Sequence, residues 1–369
     1  MLKGIKVIDF TQYLPGPHTT LRLADMGAEI IKIESPTGDP ARFPAEEDGG
    51  DKYLFRAQNR NKESITLNLK EVDDQQVAKD LILSADVVIE GFRPGVTNRL
   101  GISYEEIVKI KPDIVYCSLT GYGQVSPLSH LGSHDINYMA LSGVLSQFKD
   151  DEKRPVQPTI TMADLVGAIA TSESIVAALL KKERTGIGSY IDLAIADVMV
   201  TLMTNHILIE SATGEQHGMP RLNGAHVCYT LYETRDGRFI SLAALELKFW
   251  ENFCLAVGKE SWLGSSFTLP SKENPVYREM VSLFLSRDFE EWIHLSQTVD
   301  CCITPVLEAG ELAEYPYYKA RKLIQKHEGL NHVATRYCQN QSENIHYKPS
   351  PKHDKHNNSL LYELKSSSK

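Results

Sequence analysis

The stretch Gly132-Ser133-His134-Asp135-Ile136-Asn137-Tyr138, with Asp164 thirty positions beyond the histidine, holds the residue types that reversible proton movement at a carbon acid requires. One base removes the proton from one face of the carbon and the other returns it to the opposite face. An imidazole suits this work because its unperturbed pKa, about 6.5, lies near neutrality. Helical spacing at Ile136, Met139, Ala140 and Gly143 puts His134 in the first turn of a helix. There the macrodipole disfavours imidazolium and helps keep the base neutral. The plainer alternative makes Asp135 a helix cap and His134 a hydrogen-bonded turn residue. Asp164 opens a longer amphipathic helix, lined by Leu165, Ile169, Ile175, Val176, Leu179 and Leu180 and stopped by Gly186 and Gly188. It is either an N-cap or a carboxylate beside amides able to hold an oxygen that gains charge, and the two roles can coexist.

The elements that must position these residues alternate along the chain. Ile5 to Phe10, Glu29 to Glu34, Ile65 to Leu69, Asp86 to Glu90 and Asp113 to Leu119 read as strands. Pro15-Gly16-Pro17 reads as a turn, and His18 to Gly27, Gln75 to Ser84 and Tyr104 to Ile110 as helices. This order predicts βαβ units and a largely parallel, Rossmann-like sheet, an α/β fold. The first βα turn, Tyr13-Leu14-Pro15-Gly16-Pro17, lacks G-x-G-x-x-G, so a nicotinamide or flavin dinucleotide is not supported. The loop Gly38 to Asn61 is rich in Gly, Asp and Arg, Asn68-Leu69-Lys70 follows a strand, and Gly91-Phe92-Arg93-Pro94-Gly95 closes another, with Arg99 beyond it. Cations after parallel strands suit a phosphorylated ligand at the carboxyl edge of the sheet, and equally suit solvated surface charge.

Further along, Tyr190 to Ala194 is strand-like, Asp192 and Asp197 read as structural, and Val198 to Glu210 reads as one Met- and Leu-rich helix. The chain is expected to form a large domain over 1–200, completed by about 320–369, a linker over 201–224 and a small α+β domain over 225–319. In the small domain, Val227 to Glu233 and Phe239 to Ala244 flank the turn Asp236-Gly237, and Glu246 follows the second strand. Helices at Phe249 to Val257, Tyr277 to Ser286 and Phe289 to Ser296 precede Cys302 to Leu307.

The 369 residues are 42% hydrophobic and 24% charged, an ordinary globular composition. A net charge of −9 without a basic, aromatic-interleaved stripe argues against a nucleic-acid binder. No apolar run is read as reaching the roughly 20 residues a membrane span needs, and the N-terminus does not read as a signal peptide. The six cysteines, Cys117, Cys228, Cys254, Cys301, Cys302 and Cys338, show no C-x-x-C pair and read as reduced thiols. The histidines near the C-terminus, His346, His353 and His356, lack a metal spacing. A cytoplasmic, metal-free protein is expected.

Ordered along nearly the whole chain are segments that resemble the family III CoA-transferases (CaiB/BaiF type), and within them the α-methylacyl-CoA racemases. They are Leu2 to Asp9, Leu23-Ala24-Asp25-Met26-Gly27-Ala28-Glu29, Ala85 to Gly95, Arg184-Thr185-Gly186-Ile187-Gly188 and Thr304-Pro305-Val306. His134 to Tyr138 followed by Ala140-Leu141-Ser142-Gly143 is similar to the racemase motif, and Ala244-Leu245-Glu246 with Phe249 to the racemase segment whose Glu lies beside the catalytic His. The resemblance implies a Rossmann-like large domain, a smaller α+β domain and an interlocked homodimer. It implies a CoA thioester as substrate rather than a permanently bound cofactor. His134 and Asp164 would exchange the α-hydrogen of the thioester, with Glu246 orienting His134. In the CoA-transferase alternative, Asp164 is the nucleophile that forms the acyl-enzyme; a non-catalytic CoA-binding protein is a third reading. CoA contacts fall on Leu67, Asn68, Leu69, Lys70, Phe92, Arg93, Pro94, Arg99, Ser133, Asp135, Ile136, Asn137 and Tyr138. Two positions depart from the racemase pattern: Ser133 stands for a glycine, and Ser35 for an arginine that contacts CoA.

Overall fold

A computed structural model of the chain describes residues 1–42, 51–150, 152–335, 347–357 and 359–362. Cys338, His346, the closing Ser366 to Lys369 and part of the Gly38 to Asn61 loop lie outside the described residues. The chain forms two compact units, 1–204 with 323–369, and 205–322.

The first unit opens with β1 (Lys6–Asp9), α1 (Pro15–Asp25), β2 (Glu29–Glu34), α2 (Asp51–Asn59) and β3 (Glu63–Thr66). Then come α3 (Val72–Leu83), β4 (Val87–Glu90), α4 (Val96–Arg99), α5 (Tyr104–Ile110) and β5 (Val115–Thr120). α6 (Asp135–Leu141), α7 (Met162–Thr185), β6 (Ser189–Ala194) and α8 (Ile195–Thr201) follow. The six strands make one sheet in the order β3-β2-β1-β4-β5-β6, with every pair parallel. Both faces are covered, which is why the strands read as nearly continuous apolar runs. On one face Val7, Ile30, Val87 and Val115 pack with Leu23, Ile175, Leu179 and Met199. On the other, Ile8, Ile31, Val88 and Tyr116 pack with Leu81, Ile82 and Ile107.

The second unit holds α9 (Thr204–Thr213, from Asn205 on) and an antiparallel sheet of β7 (Tyr229–Glu233), β8 (Phe239–Ala243) and β9 (Ile303–Pro305). Around that sheet lie α10 (Leu247–Ala256), α11 (Pro275–Phe284), α12 (Phe289–Thr298) and α13 (Pro316–Arg321). Its core is aromatic: Phe284 stacks on Tyr232 and on Trp292, with ring centroids 4.3 Å apart in each case, and Trp250 and Trp262 are buried beside them. The chain then returns to the first unit with the hairpin β10 (Ile324–His327) and β11 (Leu330–Val333).

Several elements differ from the sequence expectation, each for a local reason. Pro15-Gly16-Pro17 is the first turn of α1, where a proline lacks only an amide that the helix would not use. β3 lies two residues early because it pairs with β2, which ends at Glu34, so nothing remains for residues past Thr66 to pair with. The Gly38 to Asn61 loop contains a 3-10 turn (Pro40–Arg42) and α2. The helix expected over Val198 to Glu210 is broken at Leu202-Met203 into α8 and α9. The β10–β11 hairpin was not foreseen; its turn, Glu328-Gly329, has both residues in the left-handed region. α7 is long and apolar enough to cross a membrane, a property hidden in the sequence by Thr171, Ser172 and Glu173; it packs on α1, β5, β6 and α8.

Candidate active site

In a sheet ordered 3-2-1-4-5-6 the strand order reverses between β1 and β4, and the loops beyond their carboxyl ends splay apart. A cleft of about 520 Å³ opens there. Its walls are the loop Phe10 to Gly16 after β1, Gly91 to Pro94 after β4 and Leu119 to Tyr122 at the end of β5. Ser129, Leu131 to His134, Tyr138, Asp164, Ile195 and Leu54 complete it.

His134 occupies the N-cap position of α6, in extended backbone, and its ring lies exposed on the cleft. Its own N–H donates to Asn137 Oδ1 at 3.0 Å, so Asn137 holds the turn on which the histidine sits. Asp135, the next residue, does not cap α6. Its Oδ1 accepts the N–H of Asp164 at 2.9 Å and ties the start of α6 to the start of α7. Asp164 is the third residue of α7 rather than its cap, which is Thr161. Its half-buried carboxyl has no hydrogen-bond partner among the described residues. Burial pushes that carboxyl up to about 6; the Asp135 carboxylate adds to the rise, and His134 opposes it. The helix N-terminus favours the carboxylate, but the loss of solvent outweighs it here.

The amides at the start of α7 are largely engaged. Met162 donates to Ile160 O, Leu165 to Thr161 O and Asp164 to Asp135, so the N–H of Ala163 is the one without a partner among the described residues. Tyr138 fixes the opposite side of the turn: it accepts from Ser133 Oγ at 2.9 Å and donates to Ser133 O at 3.2 Å. Gly121 makes room for this pair, since a Cβ there would meet the Tyr138 hydroxyl at 2.5 Å and Ser133 Oγ at 2.6 Å.

Of the residues singled out in the sequence, the cleft gathers Phe92, Arg93, Pro94, Ser133, His134, Tyr138 and Asp164. Asp135, Ile136 and Asn137 lie on α6 but not on the cleft. Leu67, Asn68, Leu69 and Lys70 follow β3, further along the same edge of the sheet; Leu67 is buried and Lys70 exposed. Arg99 ends α4 and is exposed. Ser35 bonds to Thr37 Oγ1 and Gly38 O, and its carbonyl faces His353 Nε2 at 3.3 Å. Glu246 belongs to the second unit, where it is the exposed N-cap residue of α10. Sequence reasoning missed the cleft residues Tyr13, Leu14, Leu54, Thr120 and Ile195. It also missed a group of buried ions below the β1–α1 loop, whose signal was in plain view: a lysine inside the apolar run Ile30-Ile31-Lys32-Ile33.

Residues 2–357 match CoA-transferase family III. The chain belongs to that family. It is 31% identical to acetyl-CoA:oxalate CoA-transferase of Acetobacter aceti, across 89% of this chain and 86% of that protein. To human alpha-methylacyl-CoA racemase it is 30% identical, across 87% of this chain and 81% of that protein. A CAIB/BAIF family protein from Brucella suis has the same fold, with a TM-score of 0.83 at 23% identity and 98% of each chain covered. Members of family III work on CoA thioesters, and relatives of both names make this chain an enzyme of transferase or racemase type.

Proposed function

We propose that this member of family III is an acyl-CoA epimerase of the α-methylacyl-CoA racemase kind. The observation that carries the reading is the cleft itself, which joins an imidazole to a carboxyl raised to about 6. Two-base proton transfer needs a pair of groups able to take up and release a proton on one cleft, and a carboxyl raised to about 6 beside an imidazole supplies such a pair. The thioester carbonyl acidifies the α-hydrogen, one of His134 and Asp164 removes it, and the other returns a proton to the opposite face of the enolate. Holding the enolate oxygen falls to the first turn of α7, where the Ala163 N–H has no partner among the described residues and the Asp164 N–H donates to Asp135. One such donor is typically worth about 2.7–4 kcal/mol. Arg93, Arg99 and Lys70 are the cations proposed to meet the CoA phosphates.

A CoA-transferase is the second reading, favoured by the transferase names among the relatives and by an Asp164 carboxyl free to attack an acyl carbon. We also infer a homodimer in which Glu246 of the partner subunit orients His134. Its support is an exposed Glu246 carboxylate with no hydrogen bond among the described residues. Sedimentation at low protein concentration is expected to show no active monomer.

The two enzyme readings separate on His134, because Asp164→Asn abolishes activity under either. With 2-methylacyl-CoA in deuterated water, an epimerase incorporates α-deuterium without any acceptor acid. His134→Ala is then expected to lose roughly 10²–10⁴-fold of that exchange. CoA transfer to an added acid, with no deuterium uptake and little effect of His134→Ala, would make Asp164 a nucleophile and reject the epimerase.

A further inference from the structure

Four ionisable side chains, Asp9, Lys32, Asp39 and Lys62, lie beneath the β1–α1 loop, each at most 2% exposed. Lys32 stands opposite Asp9 in the β1–β2 ladder, and its Nζ is 2.9 Å from Asp39 Oδ2. Lys62 Nζ lies 3.4 Å from Asp9 Oδ2 and donates to Asn59 Oδ1 at 2.8 Å. Ion pairs taken this far from water are seldom a source of stability, because desolvation offsets the attraction between the charges. Burial drives the Lys62 ammonium down to about 7 against the pull of Asp9.

What these groups hold is one stretch of backbone. Lys32 Nζ donates to Thr11 O at 2.6 Å, and Asp9 Oδ1 accepts the Thr11 N–H at 2.8 Å. Asp39 Oδ1 accepts the Tyr13 N–H at 3.1 Å, and Lys62 Nζ donates to Pro17 O at 2.9 Å. Tyr13 is held with φ at +63°, a left-handed conformation that a tyrosine adopts only under constraint. Thr11 and Tyr13 lie within Phe10 to Gly16, one continuous wall of the cleft that contains His134 and Asp164, and Pro17 follows directly after it.

We propose that Asp9, Lys32, Asp39 and Lys62 are positioning residues, an ionic framework that sets the β1–α1 loop in the shape the acyl-CoA cleft requires. The inference rests on the acyl-CoA reading of the cleft for its kinetic consequence, but not for its structural one. None of the four lines the cleft; each acts through Thr11, Tyr13 or Pro17.

The test is the double variant Lys32→Met/Asp39→Asn in the full chain. It removes both charges of one pair while the asparagine keeps an oxygen for the Tyr13 N–H. Loss of a complete buried pair is tolerated far better than loss of one partner, so the melting temperature is expected to stay within about 4 °C of wild type. Amide exchange at Thr11 and Tyr13 is expected to accelerate, with the rest of the sheet unchanged. KM for the acyl-CoA rises about tenfold, while kcat changes much less. If the double variant does not fold, Asp9→Asn/Lys62→Met, which likewise removes both charges of one pair, carries the same readouts through Thr11 and Pro17. Unchanged exchange at Thr11 and Tyr13 overturns the framework. Faster exchange with an unchanged KM overturns its role in the cleft. A wild-type protein that binds no CoA thioester by calorimetry rejects the acyl-CoA reading instead, and the exchange measurement still decides the framework.

Discussion

Asp135 and Asp164 illustrate how a single hydrogen bond divides labour between two neighbouring carboxylates. Asp135 accepts the Asp164 N–H and adds its charge to the burial that lifts the Asp164 carboxyl to about 6. Asp164 must be ionised to act as a base or as a nucleophile, so kcat/KM is expected to fall as pH drops through about 6. Asp135→Asn keeps the acceptor oxygen and removes the neighbouring charge. Its acid limb therefore moves to lower pH in a kcat/KM profile, and a limb that stays put belongs to some group other than Asp164. Glu90 offers a test of stability in place of activity. Burial at the end of β4 pushes its carboxyl from 4.5 to about 7, against hydrogen bonds from Ser118 and the Phe92 N–H. Because the folded-state value lies above the unfolded one, the contribution of Glu90 to stability is greatest below about 4.5 and declines as pH rises to about 7. Glu90→Gln is therefore expected to match wild type in thermal melts at pH 4. At pH 8 it should exceed wild type, by at most about 3 kcal/mol.

At the scale of elements, the active-site turn is shaped by what β5 leaves out. β5 ends at Thr120, and the next residue, Gly121, lies against Tyr138 and Ser133 of the α6 segment. Gly121→Ala would force α6 away from the sheet, an overpacking worth typically 1–3 kcal/mol. The expected result is a lowered melting temperature with a larger loss of turnover, because His134 rides on α6. A variant with wild-type activity would show that the turn tolerates displacement. The Ser133 hydroxyl donates to Tyr138 and so is engaged within the turn.

The whole molecule is built on a return of the chain. Asp25 receives Thr335 N–H at 3.1 Å and Thr335 Oγ1 at 2.6 Å, and Arg60 bridges from Asp25 to Val333 O. The outer edge of β3 is closed by the tail: Ser64 N–H donates to His356 Nδ1 at 3.1 Å and Thr66 N–H to Asn357 Oδ1 at 2.9 Å. Leu360 is buried with Ile8, Ile33 and Ile65. A chain ending at Lys322 leaves the β3 edge and an apolar surface bare, and it is expected to go to the insoluble fraction on expression. Residues 205–322 contain a complete aromatic core, so that fragment is expected to fold alone and to unfold cooperatively by tryptophan fluorescence. A non-cooperative transition would count against its autonomy.

Local pattern was enough to determine the βαβ order, the helix after His134, the place of Asp164 near a helix start and the hairpin of the second unit. Each follows from period, caps and turn residues within a short window. The family likeness added CoA thioester chemistry, as it rests on motifs strung along the chain. Pattern could not say that Phe92, Arg93, His134 and Asp164 share one cleft, because strand order is settled by packing between distant segments. Nor could it say which carboxylate of Asp135 and Asp164 would be the free one: both stand at helix starts, and only the approach of α6 to α7 engages the first and buries the second. The apolar run around Lys32 signalled a buried lysine, but only the closed sheet shows Asp39 and Thr11 O beside it. Burial and partnership are properties of the assembled fold, and they decide what an ionisable side chain does.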